Sequence, residues 1–374
     1  MYIRSVEGRC LGSNHTNINI ITRGIQINLR MAVIGAGVAG SYLSNMLDKR
    51  GHEVTLFEAN KKDSHWPVCA WGASKHVLEY FSNNAGLDFN NYVFHVGKKL
   101  KMSLPNQKTE FLDLDGLVTY NKKQWESDLL SKVNVEYGIS CDKKSFPKEK
   151  YDYILDCTGF HRRFLPRPEE DFVIPAYEYL LENIDDISEF HVMGYKGARG
   201  YFWYFPLSNG RGFMGAGDID RKYLGIKEFF DEHPQAKIIK KIGRPIRLAP
   251  PKLMEPFCDN NIIGVGESIG TVFPMLGEGI IPSLLSCEIF LDVLDRSKKD
   301  NKKFDQSEYR EKILKKFQYY FDVYKIVRLK MDGKLSTVKH FNLLLSMYKN
   351  MKKDEKRFGF EINFEKMRRL VNAL

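Results

Sequence analysis

An α/β fold with an inserted antiparallel β-sheet domain and a C-terminal helical region is predicted by three observations in this 374-residue chain. Near its start, MAVIGAGVAGSYLSNMLDKRGHEVTLFEAN reads as apolar strand, glycine-rich turn, helix and second apolar strand, which is a βαβ unit. Between 199 and 217, RGYFWYFPLSNGRGFMGAG reads as a hairpin: an aromatic strand, an Asn-Gly turn and a return strand. From Phe304 onward, Ile326, Leu329, Val338, Phe341, Leu344, Leu345, Tyr348 and Met351 recur at helical spacing.

A hydrophobic content of 43% with 13% aromatics fits a chain that packs a core. Its apolar runs fall far short of the roughly 20 residues a membrane span needs. Six cysteines (Cys10, Cys69, Cys141, Cys157, Cys258, Cys287) are scattered, with no CxxC pair and no His cluster at ligand spacing. That argues against zinc and against a disulfide framework, so no metal is expected. The N-terminus lacks an apolar signal core, and a cytoplasmic monomer is the expectation. The net charge of +10 is unevenly placed, with 22 Lys+Arg against 10 Asp+Glu from Arg296 onward. One reading is a solvated helical surface. The other is peripheral contact with anionic lipid at the inner face of the cell membrane, each basic side chain contributing roughly 1 kcal/mol. No motif for nucleic acid accompanies the charge.

Residues 1–26 are polar and aperiodic and read as a tail, or as an artefact of a start upstream of Met31. A start at Met31 would shorten the first strand, so INLRMAVI (27–34) can all belong to the fold. Next, Gly35, Gly37 and Gly40 form GxGxxG, with Ala39 inside it, immediately after the strand. Gly35 permits the tight turn, Gly37 lets a pyrophosphate approach the backbone, and Gly40 allows close helix–strand packing. Glu58, which ends the second strand, would accept hydrogen bonds from adenosine ribose hydroxyls. The unit alone does not separate NAD from FAD.

Two later segments do. YDYILDCTGFHRR (151–163) is a short apolar strand ending in Cys-Thr-Gly, with Gly159 at its turn. NNIIGVGESIGTVFPMLGEGIIPSLLSCEIFLDVL (260–294) is strand, Gly266–Glu267 turn, loop, and a Gly277–Glu278–Gly279–Ile280 entry into a long helix. A single nucleotide unit completed by distant returns resembles the glutathione-reductase-type FAD fold, in the branch shared with para-hydroxybenzoate hydroxylase (a GR2-type Rossmann-like domain). The resemblance implies that the Gly-acid pair contacts the ribityl and phosphate region of FAD and that the following helix aims its N-terminus at the flavin. Glu267 stands where the branch has Asp. In TYNKKQWESDLL, Lys122 would stand in for an Arg of the branch that reaches the cofactor, keeping the charge and losing the bidentate fork.

In the hairpin, alternation puts Tyr201, Trp203 and Phe205 on one face and Phe202 and Tyr204 on the other. Spacing alone fits ordinary core packing. The pattern Tyr201-x-Trp203-x-Phe205-Pro206, however, resembles the signature of the geranylgeranyl reductase family, which includes the archaeal enzymes that saturate isoprenoid membrane lipids. There the motif lines the cavity for the prenyl chain. HWPVCAWG (65–72) is similar to the family's Pro-x-x-Cys-Gly-type loop beside the flavin: Pro67, Cys69 and Gly72 match, and Ala70 replaces a glycine. Cys69 would shape the cofactor loop or donate a proton.

The resemblance spans roughly residues 30–295. It implies that residues 27–92, 116–165 and 256–296 bind FAD. Residues 93–115 and 166–255 form the substrate sheet, while 297–374 match only loosely, as a basic helical region. It also implies that reduced FAD gives a hydride to one carbon of a prenyl alkene while a proton reaches the other. No second GxGxxG serves NAD(P)H, so the donor binds transiently or electrons come from a small redox protein such as ferredoxin. Two alternatives stay open: a flavin monooxygenase or halogenase of small molecules, and a non-catalytic prenyl binder of the GDP-dissociation-inhibitor type.

Overall fold

Met31–Ile34 is wholly buried, as a strand with neighbours on both sides and both faces covered must be. In the computed structural model, which describes residues 28–104, 108–184 and 187–373, this strand (Arg30–Ile34) lies inside a six-stranded sheet. Glu53–Glu58 and Tyr153–Asp156 are its parallel neighbours, extended in the same sense by Asn134–Tyr137 and Ile262–Gly264. Cys258–Asp259 closes one edge antiparallel. The tail expected over 1–26, with Cys10, lies outside the described residues. Helix Val38–Asp48 turns Ala39, Tyr42, Leu43 and Leu47 inward at three- and four-residue intervals and packs on helices Lys122–Leu129 and Ile280–Lys299. The α/β fold expected from the sequence is the one observed.

The inserted sheet has seven strands, ordered Lys237–Gly243, Ala176–Glu182, Arg211–Asp218, Gly200–Pro206, Phe190–Gly194, Lys99–Ser103 and Glu110–Asp113. All pairs are antiparallel except Phe190–Gly194 with Lys99–Ser103. The hairpin turn holds Asn209 and Gly210 at φ of 59° and 61°, the left-handed values the Asn-Gly signal requires. One sheet face packs Phe202, Tyr204 and Met214 under Phe229 of helix Ile226–Glu232. The opposite face looks into a cavity of about 910 Å³.

Val93–Val96 pairs with Leu117–Tyr120, which also pairs with Gly72–Ser74, in a separate three-stranded sheet. The chain crosses to the larger sheet only after Gly97, where a Cβ would meet Leu114 and Phe190 at 2.6 Å.

The C-terminal region forms helices Gln306–Lys316, Gln318–Met331, Phe341–Lys353, Glu355–Phe358 and Phe364–Ala373. Val338 departs from the expected apolar stripe, standing 86% exposed in a turn ahead of helix Phe341–Lys353. No helix among the described residues is long and apolar enough to cross a membrane.

Candidate functional site

The cavity, about 910 Å³, opens where the first strand meets its helix. Gly35 turns there at φ 102°, with Cys157 O only 2.7 Å from where a Cβ would stand. A Cβ on Gly40 would fall 1.9 Å from Gly35 O, so these two glycines are demanded by packing. At Gly37 a Cβ would meet nothing within 4 Å. That residue caps helix Val38–Asp48, whose first turn holds no acid, so the positive helix end faces open space bordered by Gly35, Ala36, Gly37 and Ala39. This geometry can cradle the phosphates of a dinucleotide.

Glu58 is buried at the rim and braces the turn. Its Oε2 accepts the Ala36 N–H at 3.0 Å, and its Oε1 accepts Asn60 N–H and Nδ2 at 2.8 and 2.7 Å. Burial by itself would raise this carboxyl, but the donors His65, Ala36 and Asn60 outweigh it and hold it at about 2. Glu58 therefore stays ionised, with lone pairs left for a ribose.

The two returning segments meet beside the cradle. Asp156, fully buried, accepts N–H groups from Thr158, Phe164 and Leu165 and so shapes the loop bearing Gly159. Arg162 clamps that loop by donating to the carbonyls of Pro166, Pro256 and Ser268. Glu267 lines the cavity, but its Oε2 is bonded to Arg244 and its Oε1 accepts the Arg247 N–H at 3.3 Å. Its reach toward a ligand therefore passes through Arg244, which also lines the cavity. Gly266 lies behind the lining, where a Cβ would press Ala39 at 3.0 Å and Ser283 at 3.1 Å. Gly277, Gly279 and Ile280 border the cavity, and Gly279 caps the long helix without a side chain.

Tyr201, Trp203 and Phe205 line the sheet side together. Room for them comes from small partners. Gly215 faces Trp203, and a Cβ there would come within 2.6 Å of the indole. A Cβ on Gly72 would fall 2.4 Å from the Phe205 ring, so the Cys69 loop and the aromatic strand fit only because position 72 is glycine. Tyr201 donates its hydroxyl to Leu276 O, fastening the wall to the loop before the long helix. Pro206 does not line the cavity. Strand alternation turns it toward the Phe202 and Tyr204 side, and its carbonyl accepts the Thr119 hydroxyl at 2.6 Å.

Around Cys69 the wall is polar and buried. The Cys69 thiol accepts the Trp71 N–H at 3.4 Å, and burial pushes its pKa up to about 11. Ala70 and Lys122 line the same region, but the Lys122 ammonium is spent on Glu126 at 2.6 Å, both side chains being buried. Lys122 thus borders the cavity while its charge is paired within its own helix. The Cys69 N–H is donated to Glu178 Oε1 at 3.1 Å, and Glu178, too, lines the cavity.

Sequence reasoning missed Glu178, Arg244 and the part played by the last helices. A partial signal for Glu178 existed: in AYEYLLE it shares a face with Ala176 and Leu180 in mid-strand, whereas the strand's other acid, Glu182, stands exposed at its end. From the C-terminal region, Ile326, Met351, Phe358 and Met367 complete the apolar lining. Arg357 lies 3.5 Å from Glu278 and donates to the Tyr320 hydroxyl. Among the described residues no His, Cys, Asp and Glu side chains gather in a way that could hold a metal ion.

A model of the NAD(P)-binding Rossmann-like domain matches residues 33–62. No curated protein sequence matches the chain. Among solved structures, a geranylgeranyl bacteriochlorophyll reductase-like protein from Thermoplasma acidophilum superposes with a TM-score of 0.66 at 18% identity, covering 87% of this chain and 99% of its own. The myxobacterial chondrochloren halogenase, an FAD-dependent halogenase, gives 0.62 at 14%, covering 92% and 96%. A probable FAD-dependent monooxygenase from Pseudomonas aeruginosa gives 0.59 at 13%, covering 82% and 99%. At such identities the likeness is one of fold: the chain has the Rossmann-like architecture, with inserted sheet and C-terminal helices, found in flavoprotein oxidoreductases.

Proposed function

We propose that the chain is an FAD-dependent oxidoreductase that saturates carbon–carbon double bonds of a prenyl chain. The observation that carries this reading is the continuity of the glycine cradle with an apolar cavity walled by Tyr201, Trp203 and Phe205. FAD fits the residues present. Open space at the absent Gly37 side chain admits a pyrophosphate, ionised Glu58 suits the adenosine ribose, and Gly159, Arg244 and Glu267 border the path onward. Once bound, FAD supplies the two-electron redox chemistry.

The protein's own work is then positioning. An unactivated alkene develops no oxyanion, so donors aimed at one would contribute nothing. What helps is a wall that fixes the chain, excludes water and turns aromatic faces toward developing positive charge. The likeness to a geranylgeranyl reductase-like structure supports this class of substrate. The similar likeness to a halogenase and a monooxygenase favours a second reading, oxygen-dependent modification of a small molecule.

One anaerobic experiment separates them. The purified protein is reduced with dithionite, mixed with geranylgeranyl diphosphate, and followed by flavin absorbance and product mass. Flavin reoxidation with a gain of two hydrogens supports the reductase. No reoxidation and no saturated product without oxygen overturns it, and NADPH consumption that requires both oxygen and an aromatic substrate establishes the second reading.

A further inference from the structure

Glu178 is a buried acid to which the reading above gives no task. It is 3% exposed in strand Ala176–Glu182, and its Cβ closes over Gly215 beside the Trp203 indole. Its Oε1 is fixed by the Cys69 N–H, whereas Oε2 is buried without a hydrogen-bond partner on a residue that lines the cavity. A carboxylate left so is far more costly to bury than a neutral carboxylic acid with its O–H on that oxygen. The groups that face it are few. Trp203 Nε1 lies near without closing a regular bond, Lys122 is occupied by Glu126, and the neighbouring strands present Gly215 and Ile242. Burial, outweighing the Cys69 N–H, Lys122 and Trp203, pushes the carboxyl up to about 8.

We propose that Glu178, rather than Cys69, is the acid that delivers the proton to the substrate held against Trp203. The proposal rests on the reductase reading. Efficient general acids have a pKa near the working pH, a condition the Glu178 carboxyl meets and the Cys69 thiol, near 11, does not. In the balanced step the alkene π bond opens. One carbon takes the proton as the Glu178 O–H bond breaks, and the other takes a hydride equivalent of two electrons from reduced flavin. The carboxylate left behind is desolvated and recovers its proton from water when product leaves.

Two measurements test this. Infrared difference spectra of the flavin-bound protein are recorded across a pH titration for wild type and Glu178→Gln. A protonated-carboxyl band present at neutral pH, fading as pH passes about 8 and missing in the variant, is expected. Absence of that band in wild type overturns the proposal. Anaerobic reoxidation of the prereduced proteins by geranylgeranyl diphosphate should then slow by roughly 10²–10⁴-fold in Glu178→Gln at equal flavin content, with partial rescue by Glu178→Asp and a smaller loss in Cys69→Ser. Equal rates in wild type and Glu178→Gln, or a larger loss at Cys69, overturn it. An inactive wild type sinks the reductase reading and the proton transfer with it, while the infrared titration still decides whether a neutral acid stands at 178.

Discussion

Two carboxyls on the cavity wall, Glu58 and Glu178, are driven to opposite protonation states by what surrounds them. Glu58 is held near 2 by its donors, below the ordinary 4.5, so its contribution to stability is complete above about 4.5 and is lost as pH falls toward 2. Glu58→Gln should flatten the acid limb of the stability–pH curve measured by urea unfolding. Glu178 behaves inversely. Over the window from 4.5 to about 8 the folded protein keeps a proton that the unfolded chain has released, so stability falls as pH rises through it. Glu178→Gln should remove that fall and be the more stable protein on the alkaline side, by on the order of a few kcal/mol. Gly37 gives a test free of titration. Gly37→Val places its side chain in open space and should leave thermal unfolding of the flavin-free protein unchanged while abolishing flavin retention on purification.

The aromatic strand is the element on which function and packing meet. Its outer residues Phe202 and Tyr204 pack with Phe229 and keep the strand in place, while Trp203 looks into the cavity. Trp203→Ala is therefore expected to retain bound FAD and the fold yet lose alkene saturation in the anaerobic assay. Loss of flavin together with collapse of the near-ultraviolet circular dichroism would assign Trp203 to the core instead. The fit between this strand and the Cys69 loop is equally testable. Gly72→Ala sets a methyl group 2.4 Å from the Phe205 ring and should cost about 1–3 kcal/mol, part of it recovered by adding Phe205→Leu.

At the scale of the molecule, the C-terminal helices are part of the cavity as well as a cover over it. Arg357 reaches Glu278 in the loop entering the long helix, and each sits where an unpaired charge is costly. Arg357→Ala should lower stability by about 3–5 kcal/mol in denaturant unfolding, and the double variant Arg357→Met with Glu278→Leu should recover most of it. The basic excess of this region is partly spent at home. Arg310 pairs with Glu255 and Arg369 with Glu110, fastening the helices to the body, while Arg296, Lys312, Lys325 and Lys352 pair with nearby carboxylates.

What the sequence by itself determined is what local geometry controls. A turn that needs φ above zero, a helix end without side chains, an Asn-Gly corner and a period-two face are written into adjacent residues. The cradle at Gly35, Gly37 and Gly40 and the shared face of Tyr201, Trp203 and Phe205 could therefore be read directly. The tertiary structure decided what depends on residues far apart in the chain. Lys122 and Glu126 are neighbours on one helix, but only packing against distant segments buried the pair at the cavity wall. Glu267 looked like a ligand contact until the chain brought Arg244 against it. The Pro206 carbonyl found its partner in the Thr119 hydroxyl, 87 residues earlier. Glu178 became a buried acid only when Cys69, more than a hundred residues earlier, closed over it. Burial and charge pairing are sums over everything that surrounds a group, and only the folded chain fixes those surroundings.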